Sequence, residues 1–240
     1  MATGKIYGGK DPRGLPAYSI AEAAIYLNLP SSTLRTWVRG RHYPTDSGPK
    51  FSAPLIHLPE VDDENPPCLS FINLIEANVL CALRRQHKLS MLKVREALDY
   101  LKIQFPSDHP LAEHSFATDG LNLFIEHYGK LIKITDAAQL VMREVIEAHL
   151  RRVEWDESGL PTRFYPLARN LPDATAKVIV IDPRLSFGRP VLAGTGIRTE
   201  MIADRYYAGE SIDDIAKDYR RSRMEIEEVI RCHYLLTKAA

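Results

Sequence analysis

The clearest hydrophobic pattern near the start of the chain lies in residues 19–39, which read SIAEAAIYLNLPSSTLRTWVR. Hydrophobic residues recur in its first half at i, i+3, i+4 and i+7, the spacing of one helical face: Ile20, Ala23, Ala24 and Leu27. Ser19 stands where an N-cap is expected, residues 28–30 (Asn-Leu-Pro) suit a tight turn, and Ser31 or Ser32 can cap a second helix. The segment therefore predicts two short helices on a tight turn, the shape of a helix-turn-helix.

The second of these helices separates two kinds of side chain. Leu34, Trp37 and Val38 are its hydrophobic positions, and winding at about 100° per residue puts a polar and cationic set on the opposite side: Ser32, Arg35, Thr36 and Arg39. Hydroxyl and guanidinium groups suit phosphates and base edges, and the second helix of a helix-turn-helix enters the major groove of DNA. We predict DNA binding through this face. The alternative is an ordinary helical hairpin with a polar outer surface.

A segment rich in proline and glycine follows, at residues 40–58. Two extended pieces in it, around residues 41–43 and 55–58, can pair as a hairpin, which after a recognition helix would form a wing. In a wing, Arg41, His42 and Lys50 would contact the DNA backbone, whereas in a plain loop they would only be solvated, and the sequence favours neither. Residues 1–58 carry a net charge of +4, as a DNA-contacting domain requires.

Helical spacing predicts two further helices, one over residues 70–87 and one that begins at the cap Ser90 and continues to residue 101. Residues 106–119 are predicted to be a loop. Residues 121–134, LNLFIEHYGKLIKI, predict a β-hairpin, because both halves are apolar and β-rich and Gly129 can supply the turn.

The rest of the central region alternates helix and strand. Thr135 or Asp136 is expected to cap a helix that ends near Leu150, and a short strand is predicted at residues 162–167. A β-branched run at residues 178–181 predicts a buried strand at the start of the C-terminal segment.

The C-terminal segment repeats the opening pattern. Adding 192 to each number aligns residues 19–39 with residues 211–231, and the hydrophobic positions of the two segments coincide. Ser222 and Glu225 form a possible capping box for the second helix of this copy. Its outer face differs from that of the first copy at the four matching positions: Met224, Glu227, Glu228 and Arg231.

Two carboxylates on this outer face oppose phosphate, since phosphate contact needs cations. We therefore predict that the second copy contacts protein, either a second chain or another partner. The arginines of its turn belong to the same predicted surface: Arg220, Arg221 and Arg223.

The N-terminal order of elements resembles the DNA-binding domain of MerR-type regulators over roughly residues 18–103. That family often shows an I-x-E-x-A pattern followed by T-L-R-x-W or T-L-R-x-Y, and residues 20–24 (IAEAA) and 33–37 (TLRTW) match it. The proline-rich wing and the long insertion before Ser70 depart from the family. The resemblance implies a winged helix-turn-helix.

The C-terminal stretch over about residues 177–235 resembles a small bacterial family. Its motifs are an I-D-P strand end, a G-x-P-x-x-x-G-T-x-I core and an A-G-E-S-x-x-x-I-A helix start, found here at residues 181–183, 188–197 and 208–216. Proteins with this domain are often antitoxins encoded beside PIN-type ribonuclease toxins. The two-domain combination resembles a VapB-type antitoxin.

This resemblance implies the DNA-binding antitoxin of a type II toxin–antitoxin system, which neutralises a cognate PIN-domain ribonuclease toxin and represses its own operon. It implies operator DNA as a partner, and a homodimer would engage two half-sites. An arginine that enters the acidic metal site of the toxin would block it. The alternatives are a MerR-like transcription regulator without a toxin, an interaction protein whose helices only pack, and an enzyme.

The fold class expected from these patterns is mainly α with small β elements. Residues 1–103 are predicted as a winged helix-turn-helix domain, residues 104–176 as a central α+β region that can serve in dimerisation, and residues 177–240 as a helix-turn-helix-like domain. No apolar run reaches the ~20 residues that span a membrane, so a cytoplasmic protein is expected. No arrangement of residues indicates catalysis, a metal or a cofactor, and three scattered cysteines indicate buried, inert thiols.

Overall fold

The computed structural model describes residues 7–44, 46, 48–60, 68–85, 91–133, 135–166 and 177–238. In this part of the chain the fold is mainly α-helical with four small two-stranded antiparallel sheets, as the sequence predicts. None of the described helices is long and apolar enough to cross a membrane. The three cysteines are thiols that form no disulfide, and of these described residues Cys81 and Cys232 are buried and Cys68 is half-buried.

The N-terminal part contains the predicted pair of short helices and a hairpin. Its elements are β1 (Tyr18–Ser19), α1 (Ile20–Tyr26), α2 (Ser31–Arg39), β2 (Arg41–Tyr43), β3 (Lys50–Ser52) and β4 (Cys68–Leu69). Ser19 caps α1 as predicted: its hydroxyl accepts from the Glu22 N–H at 3.2 Å, and the Glu22 carboxylate accepts from the Ser19 N–H at 3.0 Å. The prediction that a serine caps α2 is wrong, because Pro30 holds the N-cap position and Ser31 is the first helical residue.

The hairpin after α2 forms the wing, defined here as residues 41–52. Arg41 lies opposite Ser52, and Tyr43 lies opposite Lys50. The second strand was predicted too late in the sequence, at residues 55–58. That segment instead lies along the end of α2, where the Trp37 carbonyl accepts from the N–H groups of residues 55 and 56 at 2.7 and 3.1 Å.

The central part is built from four helices and one hairpin: α3 (Phe71–Arg85), α4 (Met91–Gln104), α5 (Leu121–Ile132), α6 (Asp136–Leu150), β5 (Val153–Trp155) and β6 (Pro161–Phe164). The helices predicted at residues 70–87 and 90–101 are present as α3 and α4, although the predicted cap Ser90 lies outside the described residues. Thr135 caps α6 as predicted, since its hydroxyl accepts from the Ala138 N–H at 3.3 Å.

The β-hairpin predicted at residues 121–134 is wrong, because this segment is the helix α5. Its buried side chains follow the helical spacing i, i+3, i+4 and i+7: Leu121, Phe124, Ile125 and Tyr128. Gly129 is no turn residue but a point of close contact, where an added Cβ would lie 2.8 Å from the Gln139 amide nitrogen of α6.

The predicted loop at residues 106–119 also contains short helical turns. Pro110–Ala112 is a 3-10 turn, and Phe116–Gly120 is a π-helical turn that leads into α5. Leu111 and Phe116 are buried in the core, so apolar packing orders a segment whose polar and proline residues predict irregular structure.

The C-terminal part contains the second predicted helix-turn-helix. Its elements are β7 (Ile179–Val180), β8 (Val191–Leu192), α7 (Thr199–Tyr207), α8 (Ile212–Tyr219) and α9 (Arg223–Lys238). The capping box before α9 is present, with the Ser222 N–H 2.9 Å from the Glu225 carboxylate and the Glu225 N–H 3.2 Å from the Ser222 hydroxyl.

The buried hydrophobic residues that the structure describes form one large cluster and two smaller ones, the smallest being that of Tyr165, Val180 and Val191. The larger cluster extends from Tyr18 in β1 to Ile181 and includes side chains of α1 to α6, whereas a smaller cluster joins β7 and β8 to the last three helices. The two parts of the chain meet at the turn of residues 186–189. There the Tyr18 hydroxyl donates to the Gly188 carbonyl at 3.2 Å, and Arg189 forms an ion pair with Glu22 of α1.

Candidate nucleic-acid interface

The helix α2 separates its two faces as its sequence pattern predicts. Leu34 and Trp37 are almost fully buried, with 0 % and 3 % of their surfaces exposed. On the other face, Ser32, Arg35 and Arg39 are exposed and Thr36 is half-buried. The polar face is therefore directed to solvent, where a ligand can reach it.

Thr36 is held inside the helix by its own side chain. Its hydroxyl donates to the Ser32 carbonyl at 3.0 Å, the usual back-bonding of threonine within a helix. The hydroxyl proton is thus already used, and Thr36 offers a partner its oxygen lone pairs and its methyl group.

The wing carries the other two predicted DNA contacts. Arg41 and Lys50 are exposed, and they lie on the two paired strands close to the end of α2. Between them, the rings of His42 and Phe51 lie 4.9 Å apart across the hairpin. Gly40, at a left-handed φ of 71°, joins α2 to the wing.

Within the part of the chain that the structure describes, the cations of α2 and the wing have no acidic neighbour at ion-pairing distance. Among the described residues, no ion pair involves Arg35, Arg39, Arg41 or Lys50. Four positive charges are therefore presented to solvent on one continuous stretch of chain, the charge pattern that binds a phosphate backbone.

The matching surface of the C-terminal copy is internally neutralised. Arg223 binds Asp213 of α8 and Glu227 of α9, both at 2.7 Å, and these carboxylates raise the pKa of its guanidinium. Arg231 is bound by Glu228, which raises the pKa of that guanidinium as well. Because Arg223 and Arg231 both have a carboxylate partner on the same surface, this face attracts phosphate less than α2 does.

The other predicted partner-binding residues differ in exposure. Arg221 is half-buried and donates to the Ala193 carbonyl at 3.2 Å and to the Glu225 carboxylate at 3.3 Å. It therefore joins the turn before α9 to the end of β8. Arg220, in a left-handed conformation at the end of α8, is exposed. Met224 is 68 % exposed, which is unusual for a large apolar side chain and suits a contact surface.

A cleft of about 500 Å³ lies beside α2, between the wing and the ends of α3 and α4. Two arginines that the sequence analysis did not single out, Arg84 and Arg95, contribute to it. None of the described lining residues is acidic: Ser32, Thr33, Thr36, Trp37, Arg41, Tyr43, Ser52, Leu55, Arg84, Met91, Leu92 and Arg95. No short-range pattern places residues 84 and 95 beside the wing, because only the tertiary fold brings them there.

Two protein-family models match the chain. A family described as "Putative DNA-binding HTH domain" matches residues 16–98, which contain α1, α2 and the wing. A family described as "Protein of unknown function (DUF433)" matches residues 179–231, which contain the C-terminal helix-turn-helix.

Two curated relatives come from Mycobacterium tuberculosis. One, described as "Putative antitoxin VapB45", is 29% identical over 218 residues, which cover 85% of this chain and 88% of the relative. Together with the helix-turn-helix match, this similarity supports an antitoxin-like DNA-binding protein. The second relative is described as "Uncharacterized protein Rv2308" and is 24% identical to this chain, with 89% of this chain and 88% of the relative covered.

A solved structure shares the fold of this chain. The crystal structure of Rv2018 from Mycobacterium tuberculosis superposes with a TM-score of 0.70 at 25% identity, and the match covers 90% of this chain and 97% of that chain. Within the described ranges, no group of three or more His, Cys, Asp or Glu side chains could hold a metal ion.

Proposed function

We propose that this protein is the DNA-binding antitoxin of a type II toxin–antitoxin system, that it neutralises a PIN-domain ribonuclease, and that it represses its own operon. The observation that carries the DNA-binding part is the set of exposed cations on α2 and the wing that form no ion pair among the described residues. The antitoxin part rests on the similarity to a relative described as an antitoxin.

DNA would be bound by the polar face of α2 and by the wing. The proposed contacts are Ser32, Arg35, Thr36, Arg39, Arg41 and Lys50. One copy of this surface carries few cations, so a homodimer that engages two half-sites about 34 Å apart would supply the affinity. The toxin would contact the C-terminal copy, at the predicted surface of Arg220, Arg221, Arg223, Met224, Glu227 and Glu228.

The DNA-binding proposal is tested with the double variant Arg35→Ala, Arg39→Ala. Its affinity for a DNA fragment from upstream of its own gene, measured by fluorescence anisotropy, is expected to fall at least about tenfold. The dependence of log K on log salt should become less steep by about two for each protomer bound, and so by about four for the proposed homodimer, since each lost phosphate contact removes about 0.9 from the slope.

A matched control removes two cations from the C-terminal copy, in the variant Arg220→Ala, Arg223→Ala. It changes the net charge equally but should leave DNA affinity within about twofold, because DNA binding is assigned to the other surface. Equal losses in both double variants would show that only total charge matters and would contradict the assignment to α2.

The antitoxin proposal is tested by co-expression with the product of the neighbouring gene. A complex that co-purifies, together with rescue of growth from that product, is the expected result. If neither is observed while the operator fragment is still bound, the protein is a transcription regulator without a toxin, which is the runner-up function.

A further inference from the structure

We infer that Arg95 of α4 is a positioning residue for the wing: it holds the base of the hairpin so that Arg41 and Lys50 keep a fixed position relative to α2. This inference deepens the proposed DNA-binding function and rests on it.

The guanidinium of Arg95 binds three consecutive residues where the wing ends. Its Nη1 donates to the Pro54 carbonyl at 3.1 Å, and its Nη2 donates to the Ala53 carbonyl at 2.6 Å and to the Ser52 hydroxyl at 3.3 Å. The planar fork of an arginine can serve several acceptors in one rigid geometry, which a lysine ammonium on a flexible stem does not reproduce.

Among its described residues, the wing has no hydrophobic core of its own that would fix its direction. Its two strands have three residues each, no side chain in them is buried, and Phe51 is 53 % exposed. An isolated two-stranded hairpin is at best marginally stable in water. Its orientation must therefore come from contacts at its base.

Those contacts approach the base from two sides. On the side of α2, the Trp37 carbonyl accepts from the N–H groups of residues 55 and 56, and a Cβ at Gly40 would overlap the Ser52 carbonyl and lie 2.6 Å from the Phe51 ring. On the other side stands Arg95, which comes from outside the helix-turn-helix and its wing. Arg95 thus adds a link to α4 at the strand end, beside the backbone hydrogen bonds to α2 and the Asn73 amide of α3, which donates to the His57 carbonyl at 2.9 Å.

Arg95 also lines the cleft that contains Arg41, so a direct contact with DNA is the competing explanation. The two roles predict different losses of DNA affinity when Arg95 and the wing cations are removed together. A residue that acts only through the wing contributes nothing once the wing cations are removed, whereas a residue that binds its own phosphate contributes independently of them.

The experiment is a pair of double-mutant cycles on DNA binding by the full chain, measured by fluorescence anisotropy at one salt concentration. Arg95→Ala is expected to weaken binding by about threefold to tenfold. In the background of Arg41→Ala, Lys50→Ala it should cause no further loss, and in the background of Arg35→Ala its effect should multiply with that of the background. Arg95→Lys should restore less than half of the lost affinity although it restores the charge.

Lys93→Ala is the matched control on the same helix, because Lys93 pairs only with Glu96 among the described residues, at 2.8 Å. It removes one cation from α4 without touching the wing, and it should leave DNA affinity unchanged. Amide hydrogen exchange of the free protein is a second readout: in Arg95→Ala, exchange in residues 41–52 should accelerate while exchange in α2 stays the same.

Three results would overturn the inference: unchanged DNA affinity in Arg95→Ala, a full independent loss in the background without the wing cations, or unchanged exchange in the wing. Failure of the proposed function looks different, since Arg35→Ala, Arg39→Ala would then leave DNA binding intact or the wild type would not bind at all.

Discussion

At the scale of single residues, a buried carboxylate on α3 is hydrogen-bonded by its neighbours. Glu76 is 5 % exposed, and it accepts hydrogen bonds from the Asn73 amide at 3.0 Å and from His109 Nδ1 at 3.1 Å. A buried charge without such partners would be costly. The hydrogen bond to Glu76 raises the pKa of His109 above its ordinary value of 6.5, so this pair joins α3 to the segment before α5 more strongly when the histidine is charged.

This pair predicts a pH dependence of stability. The folded-state pKa of His109 is raised above its unfolded value. The ion pair with Glu76 therefore stabilises the folded state fully below about pH 6.5, and this stabilisation is lost as the pH rises through the folded pKa. The free-energy difference between wild type and His109→Ala, measured by urea unfolding, should therefore be largest at pH 5 to 6 and smaller at pH 8 to 9. A difference that grows with rising pH would contradict the assigned ion pair.

The sequence alone predicts which side chains of the site are exposed, but not which partners they bind. The exposed positions of α2 follow from its hydrophobic spacing, since Leu34, Trp37 and Val38 must face the core and thereby place the arginines outside. The partners of the C-terminal arginines do not follow from spacing alone. Arg221 reaches the carbonyl of Ala193, 28 residues away, and such a contact depends on how the strands β7 and β8 dock.

At the scale of elements, strong helical spacing predicted α1, α3, α6 and the C-terminal pair correctly. The failure at α5 has a physical reason. Its sequence is rich in β-favouring residues such as Phe124 and Ile125 and contains a glycine, so composition favours a hairpin. Burial along one helical face outweighs that preference, because intrinsic propensities are weak compared with tertiary packing.

The helical structure of α5 predicts that Gly129→Ala raises the Tm, whereas a hairpin predicts that it lowers the Tm. In a helix interior, Gly129→Ala gains up to about 1 kcal/mol of stability from helix propensity, and the clashing atoms belong to the movable end of the Gln139 side chain. Thermal unfolding of this variant should therefore show a slightly raised Tm. At the turn of a hairpin the same change would lower the Tm, because the glycine would need a left-handed conformation.

At the scale of the whole molecule, the two helix-turn-helix units are joined through the turn of residues 186–189. Ser186, Phe187 and Gly188 have consecutive positive φ values of 46°, 54° and 74°, a conformation that costs free energy for the two residues that are not glycine. Phe187 is 69 % exposed, and its ring contacts that of Tyr7 at 6.1 Å. Contacts with the N-terminal part therefore accompany this strained conformation.

Gly188 gives a direct test of this junction. A Cβ at this position would overlap the buried Tyr18 hydroxyl, whereas Gly209 has a similar positive φ of 98° with nothing within 4 Å of an added Cβ. Both alanine variants should lose about 1 kcal/mol from backbone strain, and Gly188→Ala should lose at least about 1 kcal/mol more from the overlap. Denaturant unfolding measures the free energy of unfolding of both variants. Equal losses would show that Tyr18 moves away from the added Cβ without loss of stability, which would contradict a tight junction.

The carboxylate of Glu22 limits which segments of this protein can be combined with segments of other proteins in a chimera. One of its oxygens closes the first turn of α1 and the other holds Arg189, so a single side chain belongs to both units. A chimera that grafts this DNA-binding unit onto a foreign C-terminal domain would keep the helix cap but lose the partner of the second oxygen. Transplantable units of this chain therefore have to carry Tyr18 and Glu22 together with Gly188 and Arg189.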